Sequence, residues 1–182
     1  MLIARDSSLA RVLRRWFWRY YHRYCSKLKV LLMVYQELEH AKARGARIYA
    51  ELKGYGCSGD AYHMTAPKEN GEGALMAMKK ALKNAKLPSS SVDYVNAHAT
   101  STVVGDTAEN AAIKSLLLGP GGKQNTKDVN ISSTKGAIGH LLGGAGAIEA
   151  VFTILAVHEV CTLVEVVGSI LITSLECDAS DY

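Results

Sequence analysis

A chain of 182 residues has room for one domain and a fragment of a second, which excludes two complete domains. Its 48% hydrophobic and 21% charged side chains are typical of a globular protein with a buried core and exclude a disordered chain. The formal net charge is +4, but residues 1–30 hold eight of the 21 basic side chains and a single acid, Asp6. The rest of the chain is therefore mildly acidic, and we expect no nucleic-acid partner.

The N-terminal segment, residues 1–36, is basic and diverges from the rest of the chain. It has no apolar stretch long enough for a secretory signal, so export is not expected. Its arginine-rich, acid-poor composition favours a mitochondrial presequence, although the aromatic run Trp16–Tyr21 is unusual in one. The alternatives are an amphipathic helix lying on a surface and a stretch that belongs to no folded unit.

Hydrophobic periodicity beyond this segment predicts strands that alternate with helices. A first helix ends near Arg44 with Gly45 as its stop, and the alternating residues 47–55 predict a half-exposed strand. Residues 73–86 predict a helix whose other side carries four lysines, which indicates a solvated face rather than a binding patch.

The later elements continue this alternation. They are a buried strand over Val92–His98, a helix over Asp106–Leu118 in which Asp106 is the N-cap and Glu109 completes a capping box, a strand over Val129–Ser132 and a helix over Gly143–His158. Together they predict an α/β fold around a mixed sheet, with functional groups at the carboxyl ends of the strands.

Histidines follow both of the later strands. His98 precedes a run of three hydroxyl residues, and His140 lies in a glycine-rich loop that also contains Lys135. Loops from neighbouring strands converge, so we expect the two histidines to meet where an anionic substrate group can bind. A nearby lysine would keep both imidazoles neutral and able to donate a hydrogen bond to an oxyanion. The alternative for His98 is a core histidine bonded to a carbonyl.

Glu149, on the following helix, is the nearest candidate to hold Lys135. Its alternative is an ordinary solvated helix position. The four cysteines, Cys25, Cys57, Cys161 and Cys177, are scattered and form no Cys-x-x-Cys pair, so we expect neither a metal site nor a disulfide framework. Scattered cysteines without a disulfide framework fit a protein of a reducing compartment.

Four segments between Glu39 and Glu159 together resemble the later part of a β-ketoacyl-acyl-carrier-protein synthase, the elongating condensing enzyme of type II fatty acid synthesis. They are HAKARGARIYAELKGYGCSGDAYHMTAP, ENGEGAL, VNAHATST with GD two residues later, and SSTKGAIGHLLGGAGAIEA. The resemblance covers roughly two thirds of the chain. It implies the C-terminal half of a thiolase-like α/β fold and no cofactor.

The resemblance also implies roles for particular residues. The catalytic histidines of the family match His98 and His140, its lysine matches Lys135, the accompanying acid matches Glu149, and the positions that contact the pantetheine arm match Thr100 and Thr102. Two histidines indicate the elongating class over initiating synthases and thiolases. The implied reaction is a decarboxylative Claisen condensation of an acyl thioester with malonyl-carrier protein, and the implied partner is acyl carrier protein with its phosphopantetheine arm.

The chain departs from the family pattern at both ends. The nucleophilic cysteine of the family belongs to an earlier half that has no counterpart here, so no nucleophile is expected. Cys57 matches a position usually held by Leu or Met and is not expected to replace it. After Glu159 the family's proline-rich loop and glycine-rich segment are missing. Val160–Leu175 is an apolar stretch too short for a membrane span, which predicts one or two strands or a helix.

We therefore divide the chain into a basic segment (1–36), a β-ketoacyl synthase region (37–159) and an apolar tail (160–182). The expected function is 3-oxoacyl-[acyl-carrier-protein] synthase, in a mitochondrion or otherwise in the cytoplasm or a plastid. Two alternatives stay open: an inactive truncated form that binds carrier protein or a synthase partner, and a protein of the membrane surface that uses Trp16–Tyr24 and Val160–Leu175. A lone half would expose apolar faces, so a homo-oligomer is expected.

Overall fold

The computed structural model describes residues 3–4, 33–118 and 120–160. The helices are α1 (Leu38–Ala43), α2 (Glu72–Ala85), α3 (Val103–Leu117), α4 (Lys135–Ile138) and α5 (Ala145–Val160), and the strands are β1 (Ile3–Ala4), β2 (Tyr94–Asn96) and β3 (Asn130–Ser132). Short 3-10 turns lie at Ser89–Ser91, Thr126–Asp128 and Leu142–Gly144. This order confirms the predicted α/β class. The expectations for residues 5–32 and 161–182 lie outside the described residues, and the division of the chain at 36 and 160 stays a prediction.

The described strands form a mixed sheet of three, with β2 in the centre. Strand β2 pairs antiparallel with β1 and parallel with β3, where Val95 lies opposite Ile131. All three residues of β2 are buried, as expected for a strand covered on both faces. Because β2 and β3 are parallel, the loops that leave their carboxyl ends start at the same edge of the sheet.

The hydrophobic core lies between α2, α3 and the sheet. Met78 of α2, Ile113 and Leu117 of α3 and Val95 of β2 are each at most 1% exposed and belong to one cluster. Burial of one such aliphatic side chain contributes about 1.5–3 kcal/mol, so these contacts hold the two helices on the sheet. The core thereby positions the loops on either side of α3.

The strand predicted over residues 47–55 is wrong, because the segment has no regular secondary structure. A Cβ added at Gly54 or Gly56 would overlap a backbone oxygen of α2, so the chain here lies directly on that helix. The N–H of Tyr55 donates to the side chain of Asn84 on α2 at 3.2 Å instead of to a neighbouring strand. Alternating side chains predict a strand only where a ladder partner exists, and the contact with α2 decides otherwise.

The start of α3 also differs from the prediction. The helix begins at Val103, so Asp106 lies within its first turn and is not the N-cap. Thr102 is the N-cap residue, and its carbonyl accepts a hydrogen bond from the Asp106 N–H at 2.8 Å. Two valines and a glycine are poor helix formers, which is why the sequence favoured a loop here. The close approach of Gly105 to the Thr102 hydroxyl shows that tight packing of this turn overrides the propensity.

The remaining boundaries follow the predictions closely. Helices α1 and α2 are confirmed to within two residues, and Gly45 after α1 has the positive φ of +67° expected at a helix stop. Helix α5 begins at Ala145, two residues after its predicted start, because Leu142–Gly144 form a 3-10 turn first. Helix α4, four residues long, was expected as part of a loop.

Large apolar side chains lie exposed on the described surface, and we expect them to drive self-association. Met64 is 96% exposed, Val103 85% and Leu142 79%. Exposed apolar surface favours association of copies in solution. Size-exclusion chromatography is expected to show a species larger than the 19.6 kDa monomer. A compact monomer with a cooperative thermal transition would contradict this expectation.

Candidate active site

The carboxyl end of β2 is joined to α5 by a buried amide. Asn96 is fully buried, and its side-chain nitrogen donates to the carbonyl of Glu149 at 3.1 Å and to the hydroxyl of Thr153 at 2.9 Å. The next residue, Ala97, donates its N–H to the carbonyl of Ser132 at 2.7 Å. These bonds fix the point where the loop carrying His98 leaves the sheet.

The loop after β2 is held in an uncommon backbone conformation. Ser101 has a φ of +60° and Ala99 a φ of +23°, where residues with a Cβ are disfavoured. The N–H of His98 donates to a carboxylate oxygen of Glu109 on α3 at 3.2 Å. Hydrogen bonds of this kind offset the backbone strain and fix the direction in which His98 points.

His140 reaches the same region from the loop after α4. Gly139 precedes it with a φ of +73°, a conformation that only glycine adopts without strain. The Nδ1 atom of His140 accepts a hydrogen bond from the N–H of Leu142 at 3.2 Å. In the neutral ring the proton therefore lies on Nε2, which leaves His140 with a free hydrogen-bond donor.

The structure brings the two predicted histidines together. The ring centroids of His98 and His140 are 5.2 Å apart and the rings are nearly perpendicular, at 88°. Both side chains are exposed, so a ligand can reach them from solvent. His98 is therefore not the core histidine that was the alternative from sequence.

A buried ion pair connects α4 and α5, the two helices on either side of the loop that carries His140. The Lys135 ammonium contacts the Glu149 carboxylate, and the two residues are 7% and 1% exposed. The alternative of a solvated Glu149 is therefore wrong. A lysine and a glutamate are buried to this extent only when paired, because an unpaired charge in the interior is costly.

The partial burial of His98 and the positive charge of Lys135 both favour the neutral form of the His98 imidazole. Partial burial lowers the pKa of the His98 imidazole, and the positive charges of Lys135 and of a protonated His140 lower that pKa further. At neutral pH the ring is uncharged. Two imidazoles side by side can each donate one hydrogen bond to an oxygen that gains negative charge.

Thr100 and Thr102 lie at the far end of the loop that carries His98. Their hydroxyl groups are 3.0 Å apart, which is hydrogen-bond distance. Ser101 and Thr102 are exposed and Thr100 is partly exposed, so this end of the loop is open to solvent. The structure thus places both threonines at the site's edge on the same loop as His98.

Glu109 is a site residue whose role the sequence reasoning missed. It was assigned to a capping box with Asp106, but its carboxylate accepts from the loop backbone at His98. Burial raises its pKa to about 8, while the hydrogen bonds from His98 and Ala99 act in the opposite direction. The signal that could have identified Glu109 as a site residue is an acidic side chain among the buried alanines of one helix.

We expect Glu109 to make the stability of the fold depend on pH. Because its folded pKa is about 8 and lies above its unfolded value, its contribution is fully present at low pH and is lost as pH rises through about 8. The parent melting temperature should therefore fall between pH 5 and pH 8, and the fall should be smaller in Glu109→Gln. Parallel pH profiles of the two proteins would contradict this assignment.

The described residues contain neither a metal-site cluster nor a membrane-spanning helix. Across residues 33–118 and 120–160 no group of three or more His, Cys, Asp or Glu side chains has the arrangement of a metal site. Within the same part of the chain no helix is long and apolar enough to cross a membrane. Cys57 lies within the described residues. It is exposed and has a free thiol.

Comparison with known proteins places these observations in a family. Residues 49–164 match the family model described as "Beta-ketoacyl synthase, C-terminal domain". The mitochondrial 3-oxoacyl-[acyl-carrier-protein] synthase of Arabidopsis thaliana is 55% identical over 128 residues, which are 70% of this chain and 27% of that protein. This chain therefore spans little more than a quarter of that relative's length.

Solved structures agree with the family match. The crystal structure of a β-ketoacyl synthase from Burkholderia phymatum is 45% identical, with a TM-score of 0.57 over 65% of this chain and 27% of that one. A structure described as a type II PKS acyl-carrier protein in complex with its ketosynthase gives 42% identity and a TM-score of 0.60 over 66% of this chain and 28% of that one. The chain belongs to the β-ketoacyl synthase family, and its described part has the thiolase-like fold of those enzymes.

Proposed function

We propose that this chain carries the histidine and lysine portion of the condensing site of a 3-oxoacyl-[acyl-carrier-protein] synthase in fatty acid synthesis. The observation that carries the proposal is the pair of imidazoles, His98 and His140, with ring centroids 5.2 Å apart. The named relatives and the family match support the same reaction class. The buried ion pair between Lys135 and Glu149 joins α4 to α5 and so holds the ends of the loop that carries His140.

The proposed chemical step is the decarboxylation of a malonyl thioester. The bond between the α-carbon and the carboxylate breaks, carbon dioxide leaves, and the electron pair of that bond forms the enolate of an acetyl thioester. The Nε2–H of His140 and an N–H of His98 donate hydrogen bonds to the enolate oxygen. One such donor is worth roughly 10²–10³ in rate in comparable sites. Partial burial and the charge of Lys135 both lower the pKa of His98 and so favour its neutral form.

In the full reaction the enolate carbon attacks the carbonyl of an acyl thioester held on a cysteine. The new carbon–carbon bond forms the 3-oxoacyl product, and the cysteine thiolate leaves. We propose that this cysteine belongs to the part of the relatives that these residues do not match. Cys57 is exposed beside α2. Its polar neighbours among the described residues are the Lys80 ammonium and the Tyr55 hydroxyl, whose pKa is raised by its hydrogen bond with the thiol, and neither is a base.

We propose acyl carrier protein as the partner that delivers both thioesters on its phosphopantetheine arm. The structural relative that is in complex with an acyl carrier protein supports this partner. Thr100 and Thr102 are proposed to contact the arm, since their hydroxyls lie exposed at the mouth of the loop. A mitochondrial location is supported by the Arabidopsis relative and by the basic, acid-poor residues 1–30.

A second candidate function is an inactive form that binds carrier protein or a synthase partner. The observation that favours it is that Cys57, the cysteine among the described residues, is exposed and lies beside a lysine rather than a base. Both candidates retain the site around His98 and His140. They differ in whether the chain uses this site to decarboxylate a malonyl thioester.

We expect the chain to release acetyl thioester and carbon dioxide from a malonyl-pantetheine thioester but to form no 3-oxoacyl product. The test supplies malonyl and hexanoyl thioesters together and analyses the products by mass spectrometry. Cys57→Ala should give the same products at the same rate. A 3-oxoacyl product that disappears in Cys57→Ala would assign the nucleophile to Cys57 and overturn the proposal that it lies elsewhere.

A further inference from the structure

The sequence of residues 49–55, Tyr-Ala-Glu-Leu-Lys-Gly-Tyr, is self-complementary when two copies of it run antiparallel. With Leu52 opposite the same leucine of a second copy, each tyrosine lies opposite a tyrosine and Glu51 lies opposite Lys53. The two remaining residues, an alanine and a glycine, lie opposite each other and are both small. Every position therefore meets an identical, similar or oppositely charged one, which is the condition for a two-fold symmetric contact.

The backbone of this segment has no ladder partner. Within the described part of the chain, residues 49–54 form no backbone–backbone hydrogen bond, and the Tyr55 N–H donates to the side chain of Asn84. None of residues 49–55 has a positive φ, so the segment can take the extended conformation of a strand. Extended backbone with unpaired N–H and C=O groups is a template on which a further strand can pair.

The apolar and aromatic side chains of the segment are accessible to a second copy. Tyr49 is 43% exposed, Leu52 48% and Tyr55 73%. Gly54 is buried instead, because it lies on α2, where a Cβ would overlap the carbonyl oxygen of Ala81. The contact of Gly54 holds the segment on the helix and leaves its large apolar side chains open to solvent.

The two charges of the segment select one register. The Lys53 ammonium contacts the Glu51 carboxylate at 2.6 Å, so both side chains lie on the same side of the segment. Sliding one copy by two residues would put Glu51 opposite Glu51 or Lys53 opposite Lys53, and like charges directly opposite each other destabilise a strand pair. A parallel pair in register would meet the same repulsion. A slide by one residue would place Leu52 opposite a charged side chain.

We propose that residues 49–55 pair antiparallel with the same residues of a second copy of this chain, with Leu52 opposite Leu52. Backbone hydrogen bonds and the leucine and tyrosine pairs supply the affinity, and the two pairs of Glu51 with Lys53 fix the register. Because both copies use the same residues, the contact closes at a dimer. This assignment does not depend on the condensing function.

The test measures the dimerisation constant of the full chain by sedimentation velocity over a range of concentrations. E51K puts a lysine opposite each Lys53, and K53E puts a glutamate opposite each Glu51, so we expect each variant to dimerise at least about tenfold more weakly than the parent. An equimolar mixture of E51K and K53E restores opposite charges across the pair. It should form a heterodimer with an affinity within about threefold of the parent, which repair of a contact inside one chain could not produce.

K68E and E72K are the matched controls. They change the charge by the same amounts at Lys68 and Glu72, which form an exposed ion pair outside the segment. Each should dimerise within about twofold of the parent, and mixing the two should not tighten association. Circular dichroism checks that all four variants are folded.

Disulfide crosslinking tests the register. In a chain whose native cysteines are replaced by serine, L52C should join two copies under a mild oxidant, because directly opposite side chains have Cβ atoms about 4.5–5.5 Å apart. M64C, at the more exposed Met64 outside the segment, should crosslink more slowly. Crosslinking of M64C as fast as that of L52C would contradict the register.

Four sedimentation results would overturn the proposal. They are a parent that stays monomeric at every concentration, dimerisation that E51K and K53E leave unchanged, a mixture of these two variants that stays monomeric, and a mixture of K68E with E72K that associates as tightly as the mixture of E51K with K53E. The second result would assign association to another surface, and the fourth would show a general effect of opposite charge.

Discussion

Replacement of His98 or His140 by alanine is expected to lower the rate of malonyl-thioester decarboxylation by roughly 10²–10³-fold, because in the proposed site each imidazole supplies one donor to the enolate oxygen. The rings lie 5.2 Å apart, so the loss of either leaves the oxygen with a single donor. Both side chains are exposed, and neither belongs to the core, so the variants should fold. The initial rate of acetyl-thioester formation is the measurement.

His158→Ala is the matched control for these two variants. His158 lies near the end of α5, where its ring is 4.8 Å from the Tyr49 ring and 3.0 Å from the Arg47 guanidinium. Its loss should leave the decarboxylation rate within twofold of the parent. Equal rates in the parent, His98→Ala and His140→Ala would contradict the assignment of both histidines. Equal losses in all three variants would instead indicate a general effect on folding.

Replacement of Lys135 by methionine is expected to destabilise the fold by about 3–5 kcal/mol, because it leaves the Glu149 carboxylate buried without its partner. Methionine matches the length of the lysine stem, so packing is largely kept. Since the net stability of a domain is about 5–15 kcal/mol, this loss is a large fraction of the total. Urea denaturation followed by circular dichroism measures it.

Two comparisons separate the buried charge from the loss of a side chain. Lys68→Met breaks the exposed pair with Glu72 and should cost less than about 1 kcal/mol. The double variant Lys135→Met/Glu149→Leu removes both buried charges and should recover most of the stability lost in Lys135→Met. A double variant as unstable as the single one would show that packing, not the unpaired charge, sets the cost.

Much of the fold could be predicted because local patterns and tertiary contacts agree over α2, β2 and β3. The apolar spacing of residues 73–86 and the buried run at Val95 gave these elements to within a few residues. The strand predicted over residues 47–55 is wrong for a physical reason, since the alternation of side chains does not reveal whether a neighbouring strand exists. The two glycines that lie on α2 decide that point, and their contact is not visible in the sequence.

The sequence predicted which residues belong to the candidate site. It predicted less well which groups those residues contact. His98, His140, Lys135 and Glu149 stand in motifs, and the structure brings each histidine and each charge next to its expected neighbour. Glu109 was assigned to a helix cap because an acid three residues after Asp106 fits that pattern equally well. Only the three-dimensional path of the loop after β2 shows that its carboxylate accepts from His98. The catalytic roles of these residues stay predictions.

Release of labelled carbon dioxide from a malonyl-pantetheine thioester, with the label in its free carboxylate, tests the central claim most directly. The protein is first shown to be folded by circular dichroism, so that the result refers to the site formed by His98 and His140. We predict release faster than in buffer, with no requirement for an acyl thioester or for Cys57. Release at the buffer rate by the folded chain would contradict the claim that these two histidines form an enolate-stabilising site.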